Sequence, residues 1–319
     1  MLLIQHAFST QSVALADIDG YRVEEKNEIF LVTKNGEKSL TLPDGIARRK
    51  ELVAWIKEKY EDLDAREKAA ETIVLLEDSH YGGSRGDREQ NLQKAGKISK
   101  IGTGVGFVLF LWCYLYPQPY GLVMLLSFVS PLIAGYITWS FKGLMRLYSK
   151  KSSPYPTLFI LMTFPILGTA LNAFMRYNLY GFPLAAWLTL AGMSALLSVV
   201  ALAVLKETVA VSAKKAAAVA YVVSMATVYS YGLLIYSNCY YDRSATKAWH
   251  VAVTGKRESD DNTTTYHLQL SPWGKYADGK EVTVSSGFYQ SVNQQDSVGV
   301  LLNKGKWGIP WYRIVRHGD

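Results

Sequence analysis

Three patterns of apolar and polar residues follow one another along the chain. Residues 1–78 interleave short apolar runs with charge, residues 101–238 are almost continuously apolar, and residues 239–319 return to alternation. In the middle region five apolar stretches cover roughly 101–117, 120–141, 157–175, 182–205 and 216–238. Each approaches or exceeds the ~20 residues that cross a ~30 Å hydrocarbon core. None carries an Asp, Glu, Lys, Arg or His inside. The pattern predicts five transmembrane helices. Trp112, Tyr116, Tyr120, Trp139, Tyr180 and Trp187 gather near their ends, as an interfacial aromatic belt requires.

The flanking regions predict strands. In the first, 21–25, 29–34 and 38–42 are strand candidates, with Asn35-Gly36 as a two-residue hairpin turn and Pro43-Asp44-Gly45 closing the run. A helix over about 48–60 follows, with Leu52, Trp55, Ile56 and Lys59 on one stripe, and a more charged helix over 65–76. In the last region, 249–254, 264–270, 281–285, 297–303 and 309–315 show period two or β-branched enrichment. Turn signals at Asp260-Asp261-Asn262, Ser271–Gly274 with Asp278-Gly279, and Lys304-Gly305-Lys306 separate them. Five short strands in some 80 residues predict a small barrel or sandwich.

The fold class expected is therefore an α-helical polytopic membrane protein with an N-terminal α+β module and a C-terminal all-β domain. The expected division is 1–78 module, 79–100 linker, 101–238 five-helix domain and 239–319 β domain.

The order of several strands, a hairpin and one amphipathic helix is carried by Ile18-Asp19-Gly20-Tyr21, Thr33-Lys34-Asn35-Gly36 and 52–56. It resembles the second half of bacterial pleckstrin-homology-like (PH-like) domains. The whole layout resembles bacterial polytopic membrane proteins with such a module in front. The resemblance implies architecture and brings no activity or headgroup binding with it.

Composition changes this picture less than the placement of charge does. The chain of 319 residues has 49% hydrophobic residues, two cysteines and a net charge of +7. The apolar content excludes a disordered chain, and two cysteines exclude a disulfide scaffold. The net charge is −2 over 1–100, +7 over 101–238 and +2 over 239–319. A nucleic-acid binder shows its surplus on a solvated face, and here the surplus lies between apolar stretches, so no nucleic-acid partner is expected. Lys142, Arg146, Lys150, Lys151, Lys206, Lys214 and Lys215 occupy alternate loops, and Arg176 alone occupies the opposite ones. By the positive-inside rule this bias predicts a cytoplasmic N-terminus, a periplasmic C-terminus and contact of the inner loops with anionic lipid. Residues 1–8 do not read as a cleavable signal peptide, so insertion is expected to use the internal spans.

Candidate chemistry is sparse. Gly82-Gly83-Ser84-Arg85-Gly86 has no preceding strand and no following Lys-Ser/Thr, so it reads as linker and not as a phosphate loop. His80 stands without a second ligand at metal spacing, and His250 and His267, on neighbouring strand candidates, lack a third. No Ser/His/Asp set or G-x-S-x-G motif occurs, so no catalytic residue, cofactor or metal is expected. Cys113 and Cys239 read as isolated thiols, a bridge being conceivable if the first and fifth spans are neighbours.

The interaction or pocket candidates are Asn172, Arg176, Trp273, Trp307 and Trp311. Asn172 is the most buried-looking amide in the spans and the best single candidate for a polar pocket. Arg176 reads either as snorkelling or as a docking point for the β domain. The three tryptophans stand beside turns and read as core plugs ahead of a ligand platform. Small and hydroxyl residues within the spans read as close helix packing. The expected function is a non-enzymatic scaffold or interaction protein of a bacterial inner membrane, an envelope-complex subunit or immunity-type protein. Its partner would be another protein or a second copy. The alternative is a transporter or channel component for a neutral or lipid-like substrate.

Overall fold

The computed structural model describes residues 2–5, 10–23, 28–35, 38–42, 48–146, 152–205, 215–259 and 264–316. Gly36 of the expected hairpin, the Pro43–Gly45 run, the Asp260–Asn262 turn and four of the loop lysines (150, 151, 206 and 214) lie outside the described residues.

Two compact units emerge, residues 1–101 with 140–158 and residues 102–139 with 159–319. The division in space therefore does not follow the three patterns in the sequence. The connection between the second and third apolar helices belongs with the N-terminal module, and the C-terminal β region belongs with the helices.

In the first unit, β1 (Leu2–Gln5) and β2 (Thr10–Val13) form an antiparallel pair. A second sheet contains β3 (Ile18–Val23), β4 (Ile29–Thr33), β5 (Lys38–Thr41) and β6 (Glu61–Asp62) in the order β5-β4-β3-β6. Helix α1 (Arg49–Lys59) closes it with Ile56, fully buried against Leu31, Leu40 and Leu42, as the apolar stripe requires. Helix α2 (Leu63–Glu77) is capped by Asp62, whose carboxylate accepts from the backbone N–H groups of Asp64 and Ala65. Arg22 on β3 bonds Asp64 and Glu67 of α2, each at 2.8 Å, and so fastens the helix to the sheet.

The segment expected as a linker is largely helical. A short 3₁₀ turn at Ser79–Tyr81 leads into α3, which runs unbroken from Arg85 to Leu115. Ser84 and Asp87 form a reciprocal cap, the Ser84 hydroxyl accepting from Asp87 N–H and the Asp87 carboxylate from Ser84 N–H. Gly82-Gly83 thus marks the start of a helix, and the polar residues that follow form its water-side extension.

The remaining long helices are α4 (Tyr120–Ser140), α5 (Phe159–Arg176), α6 (Leu184–Val204) and α7 (Lys215–Tyr240). Together with α3 they are five helices long and apolar enough to cross a membrane, as expected of an integral membrane protein. Close approach depends on glycine. A Cβ on Gly106 would stand 2.7 Å from backbone atoms of Ile160 and Leu161, whereas one on Gly104 would meet nothing. A Cβ on Gly232 of α7 would stand 3.2 Å from Ala170 N and 3.3 Å from Thr169 Oγ1 on α5, tighter than ordinary contact. Large apolar side chains such as Phe174, Leu188, Leu196 and Val199 stay exposed, which suits a lipid solvent and not water.

The C-terminal strands are β8 (Lys247–Ser259), β9 (Thr265–Leu270), β10 (Lys280–Val284), β11 (Ser297–Asn303) and β12 (Trp311–Arg316). The short helix α8 (Ser286–Gln290) separates β10 from β11. All five expected strands are present, and the closure is not. The described residues form one antiparallel sheet, ordered β10-β9-β8-β11-β12-β7 and curled into a half-barrel, where a closed barrel or two-sheet sandwich was expected. Two features explain this. The long β8 shifts register between Val253 and Gly255, pairing with β11 before that point and mainly with β9 after it. The edge beyond β12 is taken by β7 (Asn178–Leu179), which comes from the α5–α6 connection.

The contrast between two neighbouring glycines tests the packing of α3. Gly106→Leu is expected to lower the stability of the solubilised chain by about 1–3 kcal/mol, read as a drop in melting temperature, and Gly104→Leu to leave it unchanged. Equal losses at both positions would contradict the close approach of α3 to Ile160.

Candidate functional site at the junction of the last long helix and the C-terminal sheet

Helix α7 ends in Ser237-Asn238-Cys239-Tyr240-Tyr241-Asp242, and the β11–β12 connection, Lys304-Gly305-Lys306-Trp307-Gly308-Ile309-Pro310, folds onto that end. A helix terminus leaves carbonyls without partners, and this loop supplies donors. Lys306 N–H donates to Asn238 O at 2.9 Å. The Asn238 side chain, wholly buried, works in both directions. Its amide nitrogen donates to Ile309 O at 2.8 Å, and its oxygen accepts from Trp307 N–H at 2.9 Å and Ile309 N–H at 3.3 Å.

Gly305 and Gly308 hold φ of 77° and 76°, left-handed values that favour glycine. A Cβ on Gly305 would also stand 2.5 Å from both amide atoms of Asn238.

Asp242 completes the junction. One carboxylate oxygen accepts from Gly305 N–H at 2.9 Å and the Trp311 indole at 2.8 Å, and the other from Ser244 N–H at 2.8 Å. Burial pushes this carboxyl up, but the bonds from Ser244, Trp311 and Gly305 outweigh it and hold its pKa below the ordinary value. On the neighbouring side Tyr180 N–H donates to Pro310 O, and the Tyr180 ring packs on Trp273 and Tyr276.

A second polar group lies among the helices. The Tyr120 hydroxyl donates to Asn172 Oδ1 at 3.0 Å and lies 3.2 Å from the Tyr177 hydroxyl. Asn172 Nδ2 donates to Cys113 O at 3.0 Å, so this amide ties α3, α4 and α5 together. Tyr120 packs against Tyr236 and Tyr240, and Tyr177 meets Trp311 edge-on.

The five residues singled out from sequence therefore fall in different places. Asn172 is buried with both amide atoms engaged. Arg176 is exposed at the end of α5, with its guanidinium 4.3 Å from the Tyr120 ring centroid, a cation–π contact on the helices and not on the sheet. Trp273 is 4% exposed, in the core of the sheet. Trp307 is 58% exposed, its indole donating to Ser237. Trp311 is half-buried between Tyr177 and Asp242.

His250 and His267 do not meet. His250 is opposite Gly299 on β11 and His267 is opposite Arg257, because the two halves of β8 pair with different strands. His267 lies instead beside Thr265, Thr283 and Glu281. Both cysteines are buried and free, in separate apolar clusters. Among the described residues no three His, Cys, Asp or Glu side chains gather as a metal would need.

Sequence reading passed over Asn238 and Asp242, and it placed Tyr120 and Tyr177 in an interfacial aromatic belt where the structure buries both beside Asn172. The available signal was a run of polar and phenolic residues at the end of an apolar stretch, paired with a distant Gly-Lys-Trp-Gly.

One cavity of about 290 Å³ opens between α4, α5, α6 and α7, lined by apolar groups including Pro131, Trp139, Ile166, Val200 and Met225. The phenols at its wall, Tyr221 and Tyr229, are engaged with Thr163 and with Phe128 O. Comparison with protein-family models, with curated proteins and with solved structures finds no match.

Two outcomes test the junction. Asn238→Ala leaves buried N–H and C=O groups unpaired and is expected to cost about 2–4 kcal/mol, with amide exchange at Trp307 and Ile309 accelerating first. Because the folded pKa of Asp242 lies below its unfolded value, its contribution is complete above about pH 4 and is lost as pH falls through the depressed value. The protection factor of the Gly305 amide, corrected for slower intrinsic exchange in acid, should therefore fall on acidification in the native chain, and this acid-dependent step should vanish in Asp242→Asn.

Proposed function

We propose that this chain is a non-enzymatic scaffold of a bacterial inner membrane, with the N-terminal module in the cytoplasm and the C-terminal sheet in the periplasm. It would bind another protein through its soluble parts. The orientation rests on the lysine bias of alternate loops, and the PH-like reading of the N-terminal module rests on sequence resemblance.

The observation that carries the scaffold reading is how the polar groups among the helices are spent. Thr169, Ser194, Ser198 and Ser230 each donate back to a carbonyl of their own helix, and Asn172 is engaged on both atoms. Groups committed in this way favour packing over a wet path for a solute. The sheet, by contrast, offers a strand edge. β10 ends the sheet order, and nothing among the described residues pairs with its far side. An edge of this kind accepts a partner's strand, and Lys280 and Glu281 at its start would guard it against indiscriminate pairing.

A second reading has one observation behind it. The apolar cavity among α4, α5, α6 and α7 suits a lipid-like substrate.

A photo-crosslinker in place of Thr283 on β10, introduced into the full chain in native membranes, separates these readings. The scaffold reading expects one protein adduct of defined mass from position 283 and none from a crosslinker at the lipid-exposed Phe174. Absence of any protein adduct from position 283, together with lipid adducts from position 139 in the cavity wall, would overturn it in favour of the transport reading.

A further inference from the structure

A cavity of about 420 Å³ lies within the first unit, between the start of α3 and the turn that follows α4. His80, Tyr81, Asn91, Lys94, Ser140 and Lys142 supply its polar lining, and no carboxylate is among the lining residues. Neither Lys94 nor Lys142 makes an ion pair among the described residues. The nearby acids are engaged with backbone, Asp78 accepting from His80 N–H and Asp87 from Ser84 N–H. Two lysines without ion pairs among the described residues thus line one cavity.

The local structure holds the backbone around the cavity in place. Lys142 and Gly143 both adopt left-handed backbone conformations, φ 47° and 86°, in a turn closed by Leu144 N–H donating to Phe141 O at 2.9 Å. A lysine in that conformation is a strained choice where glycine would be relaxed. The Lys142 carbonyl accepts from His80 Nε2 at 3.1 Å, and Asn91 Nδ2 donates to Tyr81 O, so both sides of the cavity are fastened. Burial, then the Tyr155 hydroxyl, push Tyr81 up to about 12, which keeps its phenol a proton donor at neutral pH. Arg146 packs over the Tyr155 ring at 3.3 Å with its Nε lacking a hydrogen-bond partner.

Depth along the helices names the ligand. The apolar part of α3 begins near Ile101, seven residues or about 10 Å beyond Lys94, and Lys142 follows the end of α4 by two residues. Lys142 therefore stands at the level of the headgroup layer, where every phospholipid carries its phosphate, and Lys94, about 10 Å out along α3, is within one side-chain length of it. We propose that this cavity holds the phosphate of an anionic phospholipid headgroup, with Lys94 and Lys142 as its cationic contacts. The assignment needs the ends of the membrane helices and not their direction, and it stands independently of the scaffold reading. A soluble phosphate shares this chemistry, so the test must separate the two sources.

The full chain in detergent is titrated with short-chain phosphatidylglycerol, with phosphatidylcholine of equal chain length and with inorganic phosphate, and bound ligand is read by native mass spectrometry. Lys94→Gln changes an exposed side chain, and Lys142→Gly relieves a left-handed residue, so both variants are expected to fold. Binding of phosphatidylglycerol should weaken about fivefold in each and about 25-fold in the double variant, with a smaller loss for phosphatidylcholine, whose choline ammonium offsets the same phosphate. Lysine-dependent binding of inorganic phosphate at the same strength would overturn the lipid assignment, and phosphatidylglycerol binding unchanged in the double variant would overturn the site.

Discussion

The end of a long apolar helix poses a problem that the rest of its unit is arranged to solve. Carbonyls of the last turn have no partners within the helix, and at the end of α7 Asn238 and Cys239 are buried away from water. At the end of α7 the solution is a single amide. Asn238 takes two N–H donors and gives one of its own to the β11–β12 connection, and its main-chain carbonyl accepts a third N–H. A loop read by one fully buried group has little freedom to tilt. Gly305 is required at the point of closest approach, and Asp242 secures the same loop from the far side.

The shape of the C-terminal sheet follows from that fixed loop. β12 leaves it in a set direction and meets the α5–α6 connection, which adds β7 as the last strand. Barrel closure would need β10 and β12 to pair. The edge of β12 is already occupied by β7. The sheet therefore finishes against the helices instead of against itself, and this is why the two regions count as one unit.

Within the helices, polar atoms turn inward in small closed groups, and apolar side chains face outward. Only 11% of the apolar stretch of α6 is buried, against 44% for α4 and α5. That helix thus offers the largest share of its surface to lipid or to another chain. The first unit is fastened differently, by charge: Arg22 clamps α2 to β3, and Arg66 joins Asp19 and Glu61. These bonds lie in the water-side module, where partial exposure makes ionic contacts affordable and individually modest.

The amino-acid pattern alone determined the elements. Five apolar stretches of spanning length, the strands β3–β5 and β8–β12, and the stripe on α1 that buries Ile56 all follow from local periodicity, which needs no knowledge of distant residues. The cap at Ser84 and Asp87 was also local, but the glycines before it masked it as a linker. What tertiary structure decided was every relation between segments far apart in sequence. The pairing of β7 with β12, the meeting of Asn238 with the loop some 70 residues later, the separation of His250 from His267 and the basic cavity shared by Lys94 and Lys142 are of this kind. Asn172 was legible as a buried amide because its surroundings in sequence are apolar. Its partners Tyr120 and the Cys113 carbonyl were not, since a side chain's period says which face it occupies and nothing of what lies across from it.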